Sequence, residues 1–466
     1  MDVLPLKPSP PPALQTGSGK EFVDRVRAVR TGTYLLVVLT AGAYLPSPLY
    51  PGYQGSFGIS DLGMTLIYAV FALVSAPALL LFGPASDALG TRVVLRTAVL
   101  LAAAGSVCFA FAAGTGWLLA GRAAQGLALG AVTPAATALI CDDPRSASRR
   151  RAAVLAGTAF LLGTAAGPVA AGALAQHLPL PQVLPYLLHL VLLGVGWRRL
   201  SRLPAPAAPL RRWRPERPRI PRGTRWSFTA AAGTGFLAWT VAGLFLAIVP
   251  ALLERTARAD LTTTGCVLGA VLVCSALTQP FVIGLGPRRA QLGGLGGLLA
   301  SLVLLAASAG ASLPVVLAAA VVAGAGHGLA YGGATAAVEE VVSRRERGAI
   351  TGALYLACYL GAGFPAVLVG LVALERPLGT ATSWVAIAAG ALVPVVAVAV
   401  AVAGRPTPPV EAPRPGPHRA EHRLDRAGRP RVRGNRCPAG PGAGGRARRS
   451  RRSPRPRPAG GPSRPS

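Results

Sequence analysis

Acidic side chains are scarce in this chain: 17 Asp and Glu stand against 47 Lys and Arg in 466 residues. Lysine is almost missing as well, with only Lys7 and Lys20. Charged residues of both signs make up 14%, against about 25% in soluble domains. No Asp, Glu or Lys falls in the middle of a long apolar run. Asp61, Glu254, Asp260 and Glu375 lie near one set of run ends, and Glu339 and Glu340 near the other. That absence argues against a site built for an obligately cationic substrate. A P-loop is lacking, which argues against ATP-driven chemistry, and no H-x-E or H-E-x-x-H cluster points to a metal-dependent hydrolase. Six cysteines occur without metal-type or C-x-x-C spacing. Cys108, Cys266, Cys274 and Cys358 sit in apolar runs, Cys141 at a run end and Cys437 in the tail, so structural thiols are expected. No enzyme activity, metal or cofactor is expected. The first 30 residues have no apolar core, so no cleavable signal peptide is expected, and the first apolar run must direct insertion.

What the chain does have is hydrophobic length. Apolar residues are 52% of the total, and they come in runs near the roughly 20 residues needed to cross a bilayer. Runs are expected at 33–52, 61–82, 93–113, 116–140, 152–175 and 181–200, then at 226–253, 261–284, 291–311, 313–338, 349–374 and 381–403. They are apolar all round, whereas buried helices of a soluble protein would show one polar face. The expectation is an all-α integral membrane protein with about twelve spans in two six-helix, pseudo-symmetric halves.

A net charge of +30 invites a nucleic-acid reading, but its placement points elsewhere. Loops after even-numbered runs carry Arg92 and Arg96, Arg145, Arg149, Arg150 and Arg151, ten arginines from Arg198 to Arg225, Arg288 and Arg289, and Arg344, Arg345 and Arg347. Loops after odd-numbered runs carry Arg255, Arg258 and Arg376, a division of 21 to 3. The positive-inside rule then places both termini in the cytoplasm, with the chain in the plasma (inner) membrane. Five regions follow: a cytoplasmic segment 1–30, a six-helix half 31–200, a Pro- and Arg-rich cytoplasmic loop 201–225, a second half 226–404 and a tail 405–466. The tail holds 17 Arg against Glu411, Glu421 and Asp425 and is rich in Pro and Gly, a composition that cannot bury enough apolar surface to fold alone. No aromatic residues interleave its arginines, so no nucleic-acid partner is expected.

The two halves repeat in sequence. Gln125-Gly126-Leu127-Ala128-Leu129-Gly130 matches His327-Gly328-Leu329-Ala330-Tyr331-Gly332 at a shift of 202 residues. The fifth and eleventh runs both follow arginine clusters and both carry a proline, Pro168 and Pro365. Internal similarity of this kind is what a transporter built from structural repeats shows.

Three segments carry a family resemblance. Gly83-Pro-Ala-Ser-Asp87-Ala-Leu-Gly90-Thr-Arg92 has Gly, Asp, Gly and a basic residue in order; Arg122-Ala-Ala-Gln125-Gly126 puts an arginine inside a run; and Gly163-Thr-Ala-Ala-Gly167-Pro168-Val-Ala-Ala171-Gly172 is a small-residue and proline pattern. Together they resemble the signatures of the major facilitator superfamily, the last of them the antiporter branch, over roughly residues 30–404. The resemblance implies that Asp87 locks the cytoplasmic gate between the halves, with Gly83 and Gly90 permitting a tight reversal. Ala88 stands where the family has a basic residue, leaving Arg92 as its substitute. It implies proton coupling or substrate contact for Arg122, beside Gln125 and Gly126, and a bend with close helix packing at Gly163, Gly167, Pro168 and Gly172. A snorkelling arginine is the plainer alternative for Arg122, since it lies near an outer run end.

His189 and His327 are the titratable groups inside the runs, and His327, aligned with Gln125, is expected to face the central cavity and couple to protons. Trp239, Gln279, Tyr331 and Tyr355 are candidates for binding a neutral or anionic amphipathic compound. The tyrosines of Tyr44-Leu-Pro46-Ser-Pro48-Leu-Tyr50-Pro51-Gly-Tyr53 suit an interfacial belt. The expected function is secondary active transport, proton-coupled export of small organic molecules driven by a proton gradient. A symporter or uniporter of the same fold is the alternative, and a non-transporting receptor or scaffold a remote one. The expected partners are the lipid bilayer, protons and the organic substrate, with the chain a monomer.

Overall fold

The computed structural model describes residues 17–141, 146–203, 222–255, 259–308, 312–341 and 347–403, and the side chain of Asp87 is not among those described. The 405–466 tail and residues 204–221 of the 201–225 loop therefore lie outside the described residues. Within them every regular element is helical, one of the two ways a polypeptide can satisfy its backbone where no water is present.

The first half comprises α1 (Gly17–Tyr44), α2 (Tyr50–Phe57), α3 (Asp61–Leu89), α4 (Thr91–Ala110), α5 (Thr115–Cys141), α6 (Ser146–His177) and α7 (Leu184–Ser201). The second comprises α8 (Arg225–Ala247), α9 (Val249–Arg255), α10 (Leu261–Thr278), α11 (Val282–Leu285), α12 (Pro287–Ser308), α13 (Leu313–Val341), α14 (Arg347–Val372) and α15 (Leu378–Ala403). Eleven helical segments among the described residues are long and apolar enough to cross a membrane. The expected run 181–200 is not one of them. Its helix, α7, has 18 residues and carries Arg198 and Arg199 in its last turn, just after Trp197. Arg199 folds back 4.5 Å above the Tyr34 ring, and Arg96 of α4 lies 5.3 Å above that of Trp197.

Other boundaries also differ from the sequence reading. Helix α1 starts at Gly17 rather than near residue 33, because nothing between Gly19 and Tyr44 breaks a helix, and Asp24 pairs with Arg27 one turn on at 3.6 Å. Where one run was expected at 33–52, the chain breaks after Tyr44 into a 3-10 turn (Ser47–Leu49) and the short α2. The second half repeats the break, α8 ending at Ala247 before the short α9. Next in each half comes a side-chain cap at matching places: Ser60 Oγ accepts from Gly63 N–H at 3.1 Å, and Asp260 Oδ1 from Thr263 N–H at 2.7 Å.

Packing is repeated as well. In the first half α1 touches α5, α6 and α7 while α5 also packs on α3 and α4; in the second α8 touches α13, α14 and α15 while α13 also packs on α10 and α12. The halves meet along two crossed pairs, α3 with α14 and α6 with α10, related by the same exchange. The apolar stretch of α8–α9 is 94% buried and that of α15 33%, so α8 runs through the centre and α15 along the periphery. Without a hydrophobic drive between helices in lipid, small residues supply the contact. A Cβ at Gly126 would lie 2.8 Å from the Phe71 carbonyl oxygen, and one at Gly328 would collide with that of Ser275.

Candidate functional site

The break after Tyr44 sets up the first polar cluster. Pro46 has no N–H to return to Gly42, so the last carbonyls of α1 are left open. Two side chains from α5 fill them. Gln125 Nε2 donates to the Gly42 carbonyl at 3.0 Å, and Arg122 Nη1 to that of Ala43 at 2.6 Å and to Gln125 Oε1 at 2.8 Å. Arg122 Nη2 donates to the Tyr50 hydroxyl. A cation here also meets the negative end of the α1 dipole. Rings complete the enclosure: Phe71 lies 4.8 Å from the guanidinium carbon, Tyr50 5.5 Å and Tyr68 5.6 Å. Arg122 is 0% exposed, so it does not snorkel to an interface. No carboxylate is among its hydrogen-bond partners, and no Asp or Glu appears among the buried described residues. On insertion scales such a charge costs about 2.5–3.5 kcal/mol, which the cation–π contacts offset in part.

Tyr44, Tyr50 and Tyr53 are all buried, which corrects their reading as an interfacial belt. Tyr53 instead donates to the Tyr186 hydroxyl at 3.2 Å. His189 proves to be a packing histidine: its ring lies against Gly42, with Ser106 Oγ 2.7 Å from Nδ1 and the Val38 carbonyl 3.1 Å from Nε2.

The second cluster centres on His327 of α13, 0% exposed, where a cavity-facing residue was expected. Its Nδ1 is 2.8 Å from Ser275 Oγ of α10. Trp239 of α8 meets it edge-on at 5.1 Å between centroids, and Tyr331 one turn further along α13 stacks at 5.6 Å. Tyr355 follows at 6.4 Å from Tyr331, and Tyr359 at 6.5 Å from Trp239. The first half contributes Phe160 of α6 against Trp239 and Phe71 of α3 against Tyr359, at 6.2 and 6.5 Å. Phe71 thus touches both clusters. Gln279 is set apart, its Oε1 opposite Gly157 of α6. Sequence reasoning misplaced Tyr50 and missed Tyr68, Phe71, Phe160 and Tyr359. The spacing of Tyr68 and Phe71 on α3, and of Tyr355 and Tyr359 on α14, was the available signal, since residues three or four apart share a helix face.

The loop residues divide. Gly83 lies inside α3 with nothing near its missing Cβ, so it makes no reversal, whereas Gly90 does, at φ 87°. Asp87 belongs to α3. Arg92 caps the end of α7 in its own half, donating to Ser201 and Leu203 carbonyls at 2.8 and 3.0 Å. Gly286 (φ 76°) and Arg288, which donates to the Ala401 carbonyl at 2.7 Å near the end of α15, reproduce that arrangement. In α6, Gly163 and Gly167 abut α1 at Val37 and Ala41, and Gly172 abuts Leu261 and Gly265 of α10 across the halves, with Pro168 beside Gly265. Nearby, Arg255 and Asp61 pair across the halves at 2.6 Å, and Leu261 N–H donates to Gln176 Oε1 at 3.2 Å.

The comparisons with known proteins accord with this geometry. The chain is 33% identical over 122 residues to an acurin A biosynthesis cluster MFS-type transporter of Aspergillus aculeatus, 25% of this chain and 22% of that protein. It is 31% identical over 162 residues to a triacylglyceride transporter of Mycobacteroides abscessus, 34% of this chain and 31% of that protein. An MFS efflux transporter of Aspergillus oryzae is 33% identical over 107 residues, 23% of this chain and 19% of its own length. The chain therefore matches less than a third of the length of each of these relatives. In fold it resembles the crystal structure of a bacterial homolog to the human lysosomal transporter Spinster, in an inward-facing and occupied conformation. There the TM-score is 0.61 at 17% identity, covering 82% of this chain and 96% of the other. The family model described as Major Facilitator Superfamily matches residues 33–241 and 231–455. On this match, with the crossed pairing of two repeated halves, the chain belongs to the Major Facilitator Superfamily.

Proposed function

We propose that the chain exports small organic molecules in exchange for protons, by alternating access between two arrangements of its halves. The observation that carries the reading is Arg122: a fully buried cation with no acidic partner, in one half only. Position 324, its counterpart at the 202-residue shift, is Gly, packed against the Val271 carbonyl. A charge that both halves needed for folding would be repeated, as Arg92 and Arg288 are. A single charge in the shared interior suits coupling, because its electrostatic field biases protonation and substrate binding nearby. The Gly172–Gly265 contact and the Arg255–Asp61 pair cross the halves on the side away from the arginine-rich loops, as a gate there would. The 21-to-3 arginine division supports cytoplasmic termini in the plasma membrane. The efflux name of one relative favours the outward direction over import.

Substrate-dependent proton movement in proteoliposomes holding the purified chain tests the reading. Solute flux without proton flux would replace it with a uniporter, and solute and proton moving the same way with a symporter. For orientation, a cysteine at Ala207 is expected to resist a membrane-impermeant thiol reagent in intact cells; labelling there would invert the topology.

A further inference from the structure

Buried polar groups in the described structure are mostly paired, and the exceptions are few. Among buried side-chain nitrogens, those without a hydrogen-bond partner are Nε of Arg92, Arg96 and Arg122, together with Trp239 Nε1 and His327 Nε2. Each of the three arginines has its cation engaged elsewhere, by hydrogen bonds or by a ring. Trp239 and His327 have no such explanation, and they sit on two rings in edge contact, 3% and 0% exposed. Leaving two buried hydrogen-bonding atoms unpaired on rings in contact is costly unless something else occupies them at another stage.

We propose that Trp239 and His327 form a subsite for a hydroxyl group of a neutral, flat, otherwise apolar substrate. This deepens the export reading and rests on it for the identification of the ligand as a transported molecule. The chemistry narrows the class. Trp239 Nε1–H only donates. Ser275 at His327 Nδ1 leaves two tautomers, with Nε2 either an acceptor or a donor. A hydroxyl satisfies both: it accepts from Trp239 and then either donates to Nε2 or accepts from it. A carbonyl matches only one tautomer. An ammonium group cannot accept from Trp239, and no Asp or Glu is buried among the described residues to receive it. A carboxylate would find no guanidinium over these rings, since the described cation–π contacts of Arg122 go to Tyr50, Tyr68 and Phe71.

The walls suit a flat apolar body. Tyr331, Tyr355 and Tyr359 come from the second half and Phe160 from the first. Phe160 is carried by α6, which packs along α10 of the other half, so parting of the halves would withdraw one wall and admit a molecule. The equivalent position of the first half offers no second subsite of this kind. Gln125, at the position equivalent to His327, is bonded through both its oxygen and its nitrogen.

The test is a binding ratio, measured on the full chain in lipid nanodiscs by equilibrium dialysis, with empty discs subtracted. The probes are 2-naphthol, 2-methylnaphthalene, which puts a methyl in place of the hydroxyl, and 2-naphthylmethylammonium. The parent is expected to prefer 2-naphthol over the methyl compound about tenfold, the worth of one or two net hydrogen bonds. Trp239→Phe and His327→Leu should each bring the ratio to within about twofold, and the double variant no lower, because both serve one oxygen. His327→Gln, the residue of the equivalent position, should keep most of the preference, separating a hydrogen-bonding role from simple ring packing. No preference in the parent, a preference surviving both single variants, or tightest binding of the ammonium probe would overturn the subsite. Because the ratio needs no transport, a chain that fails to move protons yet keeps it would lose the export reading and retain the subsite.

Discussion

The two halves of the molecule share a skeleton and differ in how they settle their buried polar groups. In the first half Arg122, Gln125, Tyr50 and the open carbonyls of α1 close on one another, with Nε of Arg122 the unpaired atom of a guanidinium bonded through its other two nitrogens, and His189 is bonded at both ring nitrogens. In the second, His327 and Trp239 leave one nitrogen each open. Features present in both halves, such as the helix breaks, the caps at Ser60 and Asp260, and Arg92 with Arg288, serve the fold. Features present in one half, Arg122 and the open nitrogens of His327 and Trp239 among them, are the ones on which the proposed chemistry rests. Pseudo-symmetry therefore works as an internal control, setting Arg92 and Arg288, which recur in both halves, apart from Arg122, which occurs in one.

The largest effect that would sharpen this contrast is expected at Arg122. Arg122→Ala should lower coupled transport at least about a hundredfold while the protein still reaches the membrane, since removal also relieves the insertion cost of a few kcal/mol. Arg122→Lys keeps the charge, loses the planar fork that reaches Ala43, Gln125 and Tyr50 together, and should be partly active. Proteoliposome flux beside membrane abundance checks both, and full activity of the alanine variant would erase the distinction between the halves. Next comes the crossing at Gly172. Gly172→Leu drives a side chain into the Leu261 carbonyl, so a tenfold or greater loss of transport with a lowered melting temperature is expected.

A smaller effect compares the paired arginines. Arg92→Gln and Arg288→Gln should each cost about 0.3–1 kcal/mol, by removing a cation from a helix C-terminus. Melting temperatures measured side by side should fall by similar amounts, and a large disparity would give one of them a role beyond the fold. Smallest of all is Gly83→Ala. With open space around its missing Cβ, it should leave stability unchanged or raise it by up to about 1 kcal/mol. Lost transport at an unchanged melting temperature would show that Gly83 meets a neighbour in another arrangement of the halves.

The long apolar runs, their division into two sets and the Gln125–His327 correspondence were all readable from the sequence, because hydrophobic length and small-residue spacing are local properties. The helix breaks were less so. Pro46 announces a stop but not what occupies the carbonyls released, and the answer lies some 80 positions away in Arg122 and Gln125. The tyrosines after Pro46 were misplaced for the same reason. Pattern alone cannot tell a ring at the lipid interface from one turned inward onto a buried cation. The start of α1 at Gly17 was missed because the search followed apolar length, and a charged helix continues without it.

The shortness of α7 bears on how the protein is made. Its 18 residues include His189 and carry Arg198 and Arg199 in the last turn, so as it leaves the ribosome it is a poor membrane segment by itself. What makes it acceptable is company: the Val38 carbonyl on α1 and Ser106 on α4 receive the His189 ring, and Tyr34 of α1 receives Arg199. Those partners are synthesised earlier, so α7 is expected to integrate by joining a bundle already in the bilayer, which makes the first half a unit of assembly completed before the second is translated. A truncated chain ending in the central loop should hold α7 across the membrane, and the same segment spliced alone into a carrier protein should be left unspanned in a glycosylation-mapping assay.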